Sequence, residues 1–279
     1  MAIVLALAAA ASWGLADFLA GLASRRVSVP VVLLLVEGGG LVVIVVVAVV
    51  AGGPFFAHAS DAWSAVGAGL SGVVGLGCFY RALAIGTMSV VAPISSAGVA
   101  LPVVVGIATG NRPSAVTAAG LVAIVVGVVL ASREQHDDAA SAAAGRTALG
   151  LALLSAIGFG GFFVLIDAPA DASIAWTLVL SRGAAVPFVL AVILRARPAF
   201  PARRLALGIA AVGCVDLLAT TLLSVAQTEG DLAVVSVLGG MYPVITVLLA
   251  AAVLHERVRP PQLVGIVCAL GGIGAVAAG

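Results

Sequence analysis

Four ionisable side chains lie deep within apolar stretches, where their types and positions can do chemistry. They are Glu37 in LLLVEGGGLVV, Asp216 in GCVDLLATT, Asp17 in WGLADFLAG and Arg182 in VLSRGAAV. A charge at the centre of a membrane helix costs about 2.5–3.5 kcal/mol on insertion scales, so it is kept mainly where it faces a cavity or a partner. Glu37 and Asp216 suit proton exchange or substrate binding. Glu37 also suits a plainer role, as a protonated, hydrogen-bonded packing acid beside a glycine run that lets another helix approach. Asp17 lies two turns before Arg25 and either joins the site or snorkels toward that interface. Arg182 needs an acidic partner or a water-filled cavity; it serves as a charge-paired structural residue or receives a substrate carboxylate by bidentate hydrogen bonding. Trp13, Tyr80, Tyr242 and Gln227 either line the same space or pack between helices, polar tips being scarce with nine Phe, three Trp and two Tyr.

The elements that position these residues are membrane helices. Hydrophobic residues make up 63% of the 279, charged ones 9%, and the mean hydropathy is +1.28, outside the range of soluble domains. Backbone groups in lipid must pair internally, and runs of about 20 apolar residues do so as helices. The alternation of a barrel strand is missing. Punctuation by Arg, Pro, Gly and Asp predicts ten spans near 2–23, 28–51, 63–85, 88–109, 114–132, 147–167, 172–194, 205–228, 231–254 and 261–278. The first resembles a signal peptide in its Ala run but lacks a basic n-region, and is read as a membrane helix.

The chain repeats itself. A shift of 144 residues, without a gap, brings Gly14 onto Gly158, Phe18 onto Phe162, Gly39 onto Gly183, Gly69 onto Gly213, Gly86 onto Gly230 and Gly127 onto Gly271. Two five-helix units are therefore expected, 1–132 and 147–279, joined by a polar, mobile linker at 133–146. With an odd helix number the second unit enters the bilayer from the opposite face, giving an all-α integral membrane fold of two inverted repeats around a midplane site. The shift places Gly72 opposite Asp216, so that carboxylate belongs to one half only. Ser181 stands opposite Glu37, one position from Arg182.

Other chemistries are disfavoured. All 13 cationic residues are arginine, which leaves no lysine for Schiff-base catalysis. Cys78, Cys214 and Cys268 are isolated in apolar segments, and His58, His136 and His255 sit in different loops, so neither metal nor cofactor is expected. A net charge of +1 without a basic tract gives no nucleic-acid surface. An intramembrane enzyme acting on lipids calls for polar groups clustered at one membrane face, and a non-transporting scaffold leaves Glu37 and Asp216 without a task. A carrier of a small solute through the bilayer uses them. Monomer and homodimer both stay open.

Trp13-Gly14, the run Tyr80-Arg81-Ala82-Leu83-Ala84-Ile85-Gly86, and Tyr242-Pro243 followed by Leu254-His255-Glu256-Arg257 and Gly265 make the layout resemble the EamA-type proteins of the drug/metabolite transporter superfamily. The resemblance spans the whole chain and implies a secondary carrier of small organic solutes in the cytoplasmic membrane, often an exporter, working without ATP; no P-loop is found. Two positions depart from the pattern: Arg112 stands where the first copy would match Glu256, and Val99 where it would match Pro243. Glu256 is expected to cap a helix end or pair with Arg257 or Arg259. Arginines gather at the odd-numbered connections (Arg25, Arg26, Arg81, Arg133, Arg146, Arg195, Arg197, Arg203, Arg204, Arg257 and Arg259), which places these in the cytoplasm. The family resemblance implies the reverse, with cytoplasmic termini, and orientation stays open.

Overall fold

A computed structural model describes residues 1–51, 55–56, 58–110, 112–131, 139–229, 238–239, 241–256 and 260–278; side chains at 139–142, 170–172 and 227–229, among others, fall outside the description. The helices are α1 (Ala2–Ser24), α2 (Val29–Ala51), α3 (Ala59–Ile85), α4 (Met88–Ser96), α5 (Ala100–Ala108), α6 (Ala115–Ala131), α7 (Ala139–Ala172), α8 (Ile174–Ala196), α9 (Arg203–Glu229), α10 (Tyr242–Leu254) and α11 (Pro260–Ala278). No strand occurs among the described residues. Seven spans, counting Met88–Ala108 as one, are long and apolar enough to cross a membrane, and α6, α10 and α11 are shorter apolar helices. Val42, Val46 and Val49 on α2 are each more than half exposed, as expected where lipid rather than water is the solvent.

Three boundaries differ from expectation. Helix α7 begins at Ala139, inside the expected linker, because the Ala-rich run there has the strongest helix propensity available. The fourth span is interrupted by a 3₁₀ turn at Ala97–Val99. Pro102 has no N–H for the Gly98 carbonyl, and its ring crowds that carbonyl, which weakens the helical ladder at this turn. In the second copy, α10 starts at Tyr242 and puts Pro243 in the first turn, where a missing N–H costs nothing, rather than inside a helix. Met241 and Ala97 are 144 residues apart, so the interruption falls at equivalent places in both halves. Residues 231–237 of the expected ninth span, and with them Gly230, lie outside the described residues.

Packing follows the repeat. Helix α3 lies against α7 and α1 against α9; α2 meets α9 and α3 meets α8; α2 meets α8, and α6 meets α11. Exchanging the halves by the 144-residue shift leaves this set of contacts unchanged. Small residues set the closest approaches. Along the α6–α11 seam, Gly120 and Gly127 lie against the backbone of Gly272 and Gly265, as in membrane helix pairs that rely on dispersion at short range. The shared core runs through Val31, Val36, Phe79, Leu83, Met88 and Ile94.

One polar joint ties the halves at a helix end. His255 adopts the left-handed conformation (φ 55°) that closes α10, and the turned chain delivers Glu256 to the start of α4. Its carboxylate accepts from Met88 N (3.1 Å), Ser89 N (3.0 Å) and Ser89 Oγ (2.9 Å) and pairs with Arg25 at 3.4 Å. Glu256 thus satisfies orphan donors of a helix in the other half and sits where the dipole favours an anion. The expected cap is present, on α4; the described ion-pair partner is Arg25, whereas Arg257 and Arg259 lie outside the described residues. Glu256→Ala is expected to lower stability by about 1–3 kcal/mol, since buried donors lose a charged acceptor, and Arg25→Gln by under about 1 kcal/mol, because that pair is partly exposed. Thermal unfolding in detergent checks the ranking.

Candidate functional site

The buried charges meet near the α2–α9 crossing. Gly39 presses against the Ala210 carbonyl of α9, and Gly213 against the Val36 carbonyl of α2; a Cβ at either position would collide with that backbone. The two helices therefore touch backbone to backbone, and Glu37 on α2 and Asp216 on α9 flank the crossing. Arg182 reaches in from α8. Its Nη1 donates to Glu37 Oε2 at 3.3 Å, and its Nη2 donates to Asp216 Oδ2. Gly40 makes room, since a side chain there would strike the guanidinium. The Glu-Gly-Gly-Gly run thus has a division of labour: Gly39 admits α9, Gly40 admits Arg182, and Gly38 has open space beside it.

The Arg182 and Glu37 side chains are each 8% exposed and Asp216 is 28% exposed. An arginine between two carboxylates at this depth is held by mutual charge, because any one of the three alone would be costly. Arg182 needed an acidic partner and has two. Each terminal nitrogen gives one N–H to a carboxylate. Its Nε is buried and makes no hydrogen bond among the described residues. Pro187 leaves the Gly183 carbonyl, next to Arg182, without its helical donor.

A second group of side chains adjoins this triad. Gly14 packs against the Tyr242 carbonyl and Ile245, and Thr246 Oγ1 donates to the Gly14 carbonyl at 3.2 Å. The start of α10 is thereby pressed onto α1. Tyr242 then meets Trp13 edge to face, with ring centroids 6.1 Å apart. Asp17, one turn beyond Gly14 on the same buried face of α1, interacts electrostatically with Asp216 and with Tyr242. Tyr80 of α3 is 3% exposed and senses Asp17, Asp216, Glu37 and Arg182. Asp17 does not snorkel to Arg25: it is 9% exposed and faces the bundle, and Arg25 is engaged by Glu256.

Of the eight residues singled out from the sequence, Glu37, Arg182 and Asp216 are joined by hydrogen bonds, Trp13 and Tyr242 by a ring contact, and Asp17 and Tyr80 lie within electrostatic reach of Asp216. Gln227 has its side chain outside the described residues. Sequence reasoning missed Gly40 as the residue that admits the guanidinium; its signal was the third consecutive glycine after a buried acid. Trp63 is exposed at the start of α3, and Trp176 packs edge-on against Phe55 (5.3 Å).

No curated protein gives a significant match to the sequence. A solved crystal structure of a protein aligns over 99% of this chain and 97% of its own, with a TM-score of 0.67 at 16% identity, a likeness of fold. The sequence model of the EamA-like transporter family matches twice, over residues 1–133 and 146–278. The two matches divide the chain where its own internal repeat does. With apolar spans throughout and buried charges drawn from both halves, this multi-pass membrane protein belongs to the EamA-like transporter family.

Proposed function

We propose that the protein is a secondary carrier that exports small organic metabolites, amino acids or drugs across the cytoplasmic membrane by alternating access. In this reading ten spans form two inverted five-helix repeats, 1–132 and 147–279, joined by 133–146, and the halves rock about a midplane site. The single observation that supports it best is convergence. Asp17, Glu37 and Tyr80 come from α1, α2 and α3 of one half, Arg182, Asp216 and Tyr242 from α8, α9 and α10 of the other, and they share one electrostatic neighbourhood. Such a site is divided when two halves move apart, so binding and release follow from the motion itself. The contact pattern that survives exchange of the halves, and helix interruptions at equivalent positions, agree with a pseudo-two-fold design.

Proteoliposomes loaded with a panel of metabolites, with and without a pH gradient, test the reading. At least one solute is expected to cross in a protein-dependent and gradient-dependent manner. Glu37→Gln and Asp216→Asn are each expected to slow that flux about tenfold or more, equivalent to losing about 1.4 kcal/mol of useful interaction. Folded variants that transport at the parent rate with unchanged pH dependence would reduce both carboxylates to structural charges.

A further inference from the structure

The densest cluster of arginines lies at the connection from α8 to α9, away from the buried triad. Arg195, Arg197, Arg203 and Arg204 are all exposed, and none of their guanidinium groups makes an ion pair or a hydrogen bond among the described residues. Helices α2 and α9 run parallel, Gly39 meeting Ala210 and Ile44 packing with Leu217. The start of α9 therefore lies at the end of the bundle where α1 turns into α2. Glu256 at that end is already engaged by Arg25 and by the first turn of α4.

Local folding does not require these arginines. Arg195 matches the negative end of the α8 dipole, but α9 opens on Arg203 and Arg204 with no acidic residue in its first turn, the reverse of what the dipole favours. Arg197 closes α8 in the left-handed conformation (φ 48°), which glycine or asparagine adopts with less strain. The internal repeat makes the same point. Pro198 and Phe200 of this connection recur in the first half as Pro54 and Phe56, whereas the four arginines stand opposite Ala51, Gly53, Ala59 and Ser60. Charge for orienting the chain is also carried at this end by Arg25, Arg26 and Arg81. Beside the cluster, Leu194 on α8 is 70% exposed and Leu207 on α9 is 61% exposed, so apolar surface flanks the charges on both helices.

We propose that this connection seats the phosphate of an anionic phospholipid, with the arginines around the headgroup and the acyl chains along Leu194 and Leu207. Arginine offers a planar fork that matches two phosphate oxygens, and basic residues at this depth are drawn to anionic lipid. A soluble phosphate compound meets the arginines but leaves the leucines uncovered. A zwitterionic lipid covers the leucines but brings its own ammonium to the arginines. A lipid of net negative head group, such as phosphatidylglycerol, satisfies both. The seat is on the outside of the bundle, and neither the carrier reading nor the orientation of the chain enters the argument for it.

Protein purified in a neutral detergent is titrated with phosphatidylglycerol or with phosphatidylcholine of the same acyl chains, bound lipid being counted by native mass spectrometry. Phosphatidylglycerol is expected to bind about tenfold more tightly or better, and about 1 M salt to remove most of that preference by screening. Arg203→Gln combined with Arg204→Gln is expected to weaken phosphatidylglycerol binding about 25-fold, at about fivefold for each arginine, and to leave phosphatidylcholine binding unchanged. Lysine at the same two positions keeps the charge and should keep most of the preference, which separates lost charge from a disturbed helix start. Arg112→Gln, at the other end of the bundle, is expected to change neither. The proposal is overturned if phosphatidylcholine binds as tightly as phosphatidylglycerol, if the double glutamine variant binds phosphatidylglycerol as the parent does, or if Arg112→Gln loses as much. Displacement of the lipid by millimolar inorganic phosphate would overturn it as well, by showing a site for a free ion.

Discussion

Arg182→Gln is expected to destabilise the folded protein by about 3–5 kcal/mol, the largest effect of any single substitution in the site, because it strands two acids that now share one partner. Glu37 has little access to solvent with which to recover, being 8% exposed. The expected readout is a marked fall in unfolding temperature in detergent and loss of monodisperse material. The cause is tested by rescue. Adding Glu37→Gln and Asp216→Asn to Arg182→Gln removes the stranded charges, and the triple variant is expected to regain most of the lost stability without regaining function. Arg182→Lys should fall between, since one ammonium cannot reproduce a planar fork that points to two helices at once. Gly40→Ala, which pushes on the guanidinium, should resemble a milder Arg182→Gln. If Arg182→Gln is as stable as the parent, the triad does not hold α2, α8 and α9 together.

Gly213→Ala is the second large expected effect. Its Cβ would enter the space of the Val36 carbonyl and the Gly40 amide, backbone atoms that cannot turn aside. Helix α9 would have to withdraw from α2, at a cost of about 1–3 kcal/mol or more by overpacking. Asp216, one turn further along α9, would be carried away from Arg182 in the same movement, so stability and transport should fall together. Gly183→Ala provides the control: a Cβ there meets nothing within 4 Å, and the better helix propensity of alanine should leave stability unchanged or slightly raised. Equal losses at 183 and 213 would show that glycine matters at these positions for a reason other than close approach.

That comparison also marks how far the sequence could be read. The 144-residue shift identifies Gly39 with Gly183 and Gly127 with Gly271, yet Gly39 and Gly127 are wedged against neighbouring backbone whereas Gly183 and Gly271 face open space. Internal similarity records common ancestry of positions, while packing depends on what has since changed across the interface. Where two equivalent helices meet each other, as α2 and α8 do, equivalent residues come close, and this is why Arg182, one position from the counterpart of Glu37, reaches that acid. Asp216 offered no such clue, because its counterpart is Gly72 and its helix meets a non-equivalent one. The depth of Asp17 was legible, but its lack of an ion-pair partner among the described residues was not, since that depends on where Arg25 spends its charge. Glu256 was legible as a cap, but the helix it caps is 168 residues away.

Glu256 has a further consequence through what stands opposite it. The equivalent position in the first half is Arg112, which is exposed and has no carboxylate to offer a helix start. A carrier made of two interchangeable halves would rest with equal ease facing either side, because its two end states would be mirror versions of one another. In the alternating-access reading proposed above, opening the end that holds Arg25, Glu256 and the first turn of α4 would require giving up contacts worth about 1–3 kcal/mol, a demand that residue 112 would not impose at the other end. At tenfold per 1.4 kcal/mol, this contribution alone would weight the resting population by roughly 5-fold to 150-fold toward the state sealed at the Glu256 end. Two copies of one ancestral unit would in this way become a device with a preferred idle position.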